Sequence, residues 1–214
     1  MGTVEINEAN STIVISSNIL LYGNAANEAL RQNIEAEIST LWNEPKGVVQ
    51  YNNQNYTLQF VINCWLYPNL TPQDIAANRN PKNNYIRVED TSNINISFVD
   101  GLGSNTGYFY TENLYIGSTT AAHEYGHTLG LDHPNELDIR GQGVPGIMYP
   151  RGTLVDAAYQ YNADAQAGAS GGTLFPKYRK ILQTDIDNLN IPSLNFVNGT
   201  AVIGKYSNVW HEAH

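Results

Sequence analysis

The stretch Ala122-His123-Glu124-Tyr125-Gly126-His127-Thr128-Leu129-Gly130-Leu131-Asp132-His133 decides how the rest of this chain is read. On an α-helix, His123 and His127 stand one turn apart on the same face. Their imidazoles therefore reach one ion at the ~2.0–2.1 Å of zinc–nitrogen bonds. A third histidine further along that helix would extend the row without closing around the ion. Gly130 removes the obstacle, because glycine takes the positive φ that ends a helix and turns the chain. His133 then returns from a loop as the third nitrogen. Three protein ligands leave a position open for water, the mark of a catalytic rather than structural zinc. Glu124, beside the first ligand, is placed to take that water's proton without binding the metal. With 5 His and 18 Gly in 214 residues, the five fixed positions coincide by chance roughly once in 100,000 sequences of this composition.

Composition narrows what this site serves. Charged residues are 14% of the chain, against about 25% in average proteins. Polarity comes from amides instead, with 27 Asn, a surface type common among exported proteins. The net charge of -9 excludes a nucleic-acid binder, which needs a basic footprint for phosphates. It also leaves no basic patch for an anionic membrane, and no run approaches the ~18 apolar residues of a span. The hydrophobic share of 42% supports a folded core in one domain, or one domain cut into two lobes. Cys64 is the single cysteine, so no intramolecular disulfide forms, and it reads as a small buried thiol in a strand. The start Met1-Gly2-Thr3-Val4-Glu5 has no signal-peptide pattern and reads as a mature or excised piece. Five Asn-x-Ser/Thr sequons, against roughly three expected by chance, decide little.

Thr12 to Ser16 is β-branched and predicts a strand. From about Asn24 to Trp42, Leu30, Ile34, Ile38, Leu41 and Trp42 form one helical stripe. Tyr56 to Cys64, Tyr85 to Glu89 and Ile94 to Val99 predict further strands. Thr71 followed by Pro72 has the form of a helix start. The Gly-rich turn Asp100 to Asn105 offers carboxylate and carbonyl oxygens to calcium but lacks the acidic spacing of an EF-hand. After His133 the periodicity weakens, and Ala157 to Ala169 fits a helix or a loop equally. Thr184-Asp185-Ile186-Asp187 predicts a short helix with acids at its positive end. Asn198-Gly199 predicts a small C-terminal hairpin. His211 and His214 read as a frayed tail.

The His-Glu-x-x-His-x-x-Gly-x-x-His pattern resembles that of the metzincin metallopeptidases. Their second mark is a methionine turn beneath the metal, for which Gly146-Ile147-Met148-Tyr149-Pro150 is the candidate. Met-Tyr-Pro is similar to the matrixin branch, as is Lys180 to Asp187 to the start of the matrixin C-terminal helix. The resemblance implies a two-lobed α/β (α+β) catalytic domain. It would have a twisted mixed sheet with two long helices to about residue 130 and an irregular lobe over about 131–192. A hairpin or tail follows over 193–214. It also implies a substrate extended beside an edge strand, Ile94–Val99 or Tyr108–Ile116 by position. Tyr149 and Pro150 are candidate cleft residues, with packing the leading role for Tyr149.

The departures matter as well. The span from His133 to Met148 is longer than in matrixins, so the loop with Asp138 and Arg140 reads as an insertion. Gly152 stands where matrixins carry a tyrosine. The upstream histidines of the matrixin structural zinc are missing, so one zinc is expected.

These readings combine into a secreted or externally delivered, monomeric zinc metalloendopeptidase. Glu124 is its catalytic residue, and His123, His127 and His133 are its ligands. Its partners are a protein or peptide substrate, with no nucleic acid or membrane. Two alternatives stand beside it. One is a peptidase toxin domain with a narrow target, which would have an immunity or inhibitor protein. The other is an inert zinc-holding binding module.

Overall fold

The computed structural model describes residues 1–166, 169 and 171–213. The architecture is mixed α/β, organised around one eight-stranded sheet. Strand β1 (Gly2–Asn7) leads into the long central β2 (Thr12–Tyr22). Helix α1 (Glu28–Asn43), strands β3 (Val48–Tyr51) and β4 (Gln54–Leu66), and the short helix α2 (Pro72–Ala76) follow. Then come β5 (Asn83–Glu89), β6 (Phe98–Val99), β7 (Thr106–Tyr110) and α3 (Thr120–Thr128). A largely irregular stretch ends in α4 (Gln183–Asn188) and β8 (Thr200–Ile203).

Strands β4, β2, β5 and β7 are parallel neighbours, and β3 and β6 close the two ends antiparallel. Strand β2 is shared along its length. Thr12 to Ser16 pair with β1, and Asn18 to Tyr22 pair with β5, while β4 runs along the other side throughout. Strand β8 adds to the outside of β1.

The side-chain alternation of β4 explains why α1 lies where it does. Tyr56, Leu58, Phe60, Ile62 and Cys64 are buried on one face, with exposed residues between them. Ile34, Ile38 and Trp42 of α1 pack on that face, with Leu30 and Leu41 at the margin. Asn27 caps the helix, its side chain accepting from the Leu30 amide at 3.0 Å. On the opposite face α2 buries Ile75 against Leu20, Tyr22 and Tyr85. Thr71 and Asp74 form a capping box at its start.

Several expectations change here. The second long helix is short, because Gly130 stops α3 after Thr128. Within Ile94–Val99 only Phe98 and Val99 make a strand, and they are the sheet's edge. Tyr108–Ile116 is not an edge: β7 is covered by β6 and ends in a 3-10 turn at Thr111–Asn113. The Asn198-Gly199 turn forms, but its hairpin is a single bridge between Val197 and Thr200, and Thr200–Ile203 pairs with β1. The unmatched β1 edge outcompetes a two-stranded hairpin, which is marginal alone. Of Ala157 to Ala169, a 3-10 turn covers Ala157–Tyr159, and residues 167 and 168 lie outside the described residues.

His211 is not frayed. Its ring bonds Asp100 at 2.9 Å and meets the edges of Phe98 and Tyr108, while its carbonyl accepts from Arg87. His214 lies outside the described residues. No helix among the described residues is long and apolar enough to cross a membrane.

Candidate metal centre

Helix α3 carries the first two histidines, and α1 holds it in place. The Trp42 indole N–H donates to the Ala122 carbonyl at 3.0 Å, and the Glu37 carboxylate accepts from the Ala122 amide at 3.1 Å. Thr119, before the helix, has left-handed backbone and makes no side-chain cap, so Glu37 supplies from another helix what the local sequence does not. Tyr125 anchors the helix from below through its hydroxyl, 2.9 Å from the Ser17 hydroxyl.

At the far end the chain turns at Gly130, with φ +98°. The Leu131 amide donates to Gly126, and the Gly130 amide to His127. This Schellman pair ends the helix and turns the chain away from the row of histidines. His133 comes back by that route.

The three rings converge. His133 Nε2 lies 3.0 Å from His123 Nε2 and 3.1 Å from His127 Nε2. His123 Nδ1 faces the Ile147 carbonyl and His127 Nδ1 the Leu131 carbonyl, each at 2.7 Å. A carbonyl only accepts, so both Nδ1 atoms carry the proton and both Nε2 atoms present a lone pair. Lone pairs aimed at one point repel unless a proton or cation sits among them. Nitrogens around a tetrahedral ion at ~2.0–2.1 Å would stand about 3.3 Å apart, close to the spacing found. The group His123, His127 and His133 can therefore hold a metal, and an all-imidazole donor set suits a zinc-type ion.

Burial pushes the pKa of His123 well below its usual value, with the Arg179 and His127 charges adding to the effect. Burial likewise lowers His127 and His133. All three are thus biased toward the neutral, ligating form.

Glu124 is buried beside them, and its Oε2 has no hydrogen-bond partner. Burial pushes its carboxyl up to about 8, with the Arg179 charge pulling the other way. A cation in the histidine group would draw it back toward ionisation.

Met148 lies beneath α3, buried, with its sulfur against Gly126. Its turn is tied to the first histidine by the Ile147 carbonyl and to α4 by Asp185, which accepts from the Ile147 amide. The Asp185 carboxylate accepts from the Leu182 amide at 2.8 Å, and burial pushes it up to about 6. Pro150 borders a cleft of about 290 Å³ that also touches Thr120, His123, Glu124 and His133. Tyr149 packs instead on the small core of Ile139, Val155 and Leu174. That core roots the loop of Asp138 and Arg140, which pair with each other on the surface.

Two further cleft residues, Arg151 and Arg179, had no signal in the sequence, since neither belongs to a motif or a spacing. The Asp100 carboxylate that calcium would need is taken by Thr106 and His211. Among the described residues, the only group of three His, Cys, Asp or Glu residues able to hold a metal is the histidine set. Cys64 is remote from it, buried in β4, its thiol pushed up to about 12 by burial.

Neither a protein-family profile nor a curated protein matches this sequence. Among solved structures, one of myroilysin is similar at a TM-score of 0.40 and 11% identity, over 91% of this chain and all of that one. A likeness of that degree carries no argument about activity.

Proposed function

We propose that this chain is a zinc-dependent metalloendopeptidase of metzincin type. The observation that carries the reading is the convergence of three Nε2 atoms beside an unpartnered buried carboxyl, at the wall of an open cleft. His123, His127 and His133 hold the zinc, one per chain. Zinc, when bound, supplies a Lewis acid and lowers the pKa of a bound water to about 7. Glu124 takes the proton of the attacking water and hands it to the leaving amine. Met148 is the turn methionine under the ligands, and Pro150 forms part of the cleft wall. The substrate main chain lies along the edge strand β6, whose outer side is unpaired in the sheet.

In this reading, residues 1–130 and 131–192 are two lobes of one catalytic domain, acting as a monomer on protein or peptide outside the cell. The amide-rich surface supports that location. The test is metal content together with cleavage of a denatured generic protein, wild type against Glu124→Ala. One zinc per chain in both, with cleavage lost in the variant and on chelation, is the expected result. Zinc without cleavage in either would favour a peptidase latent or narrow in its target, or the inert binding module. No zinc at all would overturn the reading.

A further inference from the structure

Among the described residues, two arginines are buried, Arg87 and Arg179. Arg87 is satisfied: its guanidinium bonds Glu89 and the His211 carbonyl and lies near the rings of Tyr22 and Trp210. Arg179 is only 4% exposed, yet its Nε has no hydrogen-bond partner. A buried guanidinium whose Nε donor is unsatisfied is costly, so its place needs a reason.

Its backbone is fixed between the start of α3 and the segment before the Met148 turn. Thr119, at the start of α3, donates to the Pro176 carbonyl at 3.0 Å, and the Lys180 amide donates to Pro145 just before the Met148 turn. The side chain lines the same cleft as His123 and Glu124, and Arg151 lines it too. Arg151 rests over the Tyr115 ring, 6.0 Å from its centroid, and makes no ion pair among the described residues. Other cations near this wall are engaged. Lys180 pairs with Glu44, and Lys177 lies over Phe175 and Tyr178. Glu37, on the far side of Arg179, spends its carboxylate on the α3 amides. Glu124 is therefore the only acid lining the cleft, against two guanidiniums.

We propose that Arg179 and Arg151 form a carboxylate-binding subsite, so that the preferred substrate presents an acidic group beside the scissile bond. This rests on the peptidase reading. The excess positive charge is local, in a chain of net charge -9, and the two guanidiniums are close enough for Arg151 to help lower the pKa of Arg179. A carboxylate entering the cleft would neutralise the paired guanidinium charge and relieve that repulsion. The carboxylate has two sources, an Asp or Glu side chain or the C-terminus of a peptide, and the test separates them.

The experiment uses synthetic peptides differing only by Glu against Gln at each position flanking the bond, each made with a free and an amidated C-terminus. Binding is read by calorimetry on the zinc-loaded Glu124→Gln protein, which reports affinity without turnover, and cleavage is read on wild type. The expected result is a 10- to 100-fold preference for one carboxylate-bearing peptide, falling to within about twofold in Arg179→Gln and reduced in Arg151→Gln. A preference tied to Glu assigns the side chain; one tied only to the free terminus assigns the terminal carboxylate. Equal binding of acid and amide twins by the Arg179-intact protein overturns the subsite and leaves the peptidase reading standing. Carboxylate-selective binding with no cleavage by wild type overturns the peptidase reading alone. If Arg179→Gln melts early, the half-buried Arg151→Gln and the intact protein's own preference still decide.

Discussion

The sulfur of Met148 occupies the space that a side chain at position 126 would need. A Cβ at position 126 would collide with Met148 Sδ and stand 3.3 Å from the Trp42 ring. Position 126 lies inside the helix that bears His123 and His127, where glycine costs about 1 kcal/mol relative to alanine. The contact with methionine is what offsets that cost. Gly126→Ala should therefore destabilise the protein by about 1–3 kcal/mol despite the better helix propensity. Gly126→Ala should cost less in a Met148→Ala background than in wild type. Thermal melts of the two single variants and the double variant check this, and a Gly126→Ala protein melting at or above wild type would contradict it.

The Glu37 carboxylate caps α3 from α1. Glu37→Ala should cost about 0.5–2 kcal/mol, the range of a lost helix cap. Glu37→Gln retains an acceptor oxygen and should lose less. Because the capped amide precedes His123, the alanine variant should also release metal at a lower chelator concentration. Denaturant titration and metal competition on the same preparations give both quantities.

Trp42→Phe removes the donor to the Ala122 carbonyl and shrinks a ring that contacts Phe60 and Tyr125. Losing one of the two hydrogen bonds to that helical carbonyl and opening a small cavity together should cost about 1–3 kcal/mol. Chemical denaturation is the measurement. A loss below about 0.5 kcal/mol would mean that the neighbouring rings repack over the gap.

Burial raises the Asp185 pKa from 3.8 to about 6 in the folded protein. A raised carboxyl pKa means that folding favours the protonated form. Its contribution is thus fully present below about pH 4 and is lost as pH rises through about 6. The stability of wild type relative to Asp185→Asn should fall by about 1 kcal/mol between pH 5 and pH 7. Taking the difference removes the titration of the histidines, which both proteins share. A pH-independent difference would show that the backbone bonds from Leu182 and Ile147 hold the carboxylate ionised throughout.

Local pattern made much of this legible in advance. The stripe on α1, the alternation of β4, the cap at Thr71 and the turn at Gly130 each express a preference that a few adjacent residues satisfy among themselves. The histidine spacing belongs to the same class, since a helix fixes the separation of positions 123 and 127 whatever surrounds it. The extent of the expected C-terminal hairpin was not legible. Thr200–Ile203 has two available partners, and pairing with β1 depends on an edge formed by residues almost two hundred positions earlier.

What the sequence by itself determined is therefore the chemistry of the centre: three imidazoles, a carboxylate beside the first and a glycine that turns the third toward them. These follow from helix geometry and from the φ freedom of one residue, both local properties. Only the tertiary structure decided which Nδ1 atoms are held by carbonyls, that Glu37 and Trp42 brace the helix, and that Arg179 and Arg151 share the cleft. Those relationships join residues from separate elements, and their energies depend on burial. Burial exists only once the sheet, α1 and the segment around Met148 have closed over the site.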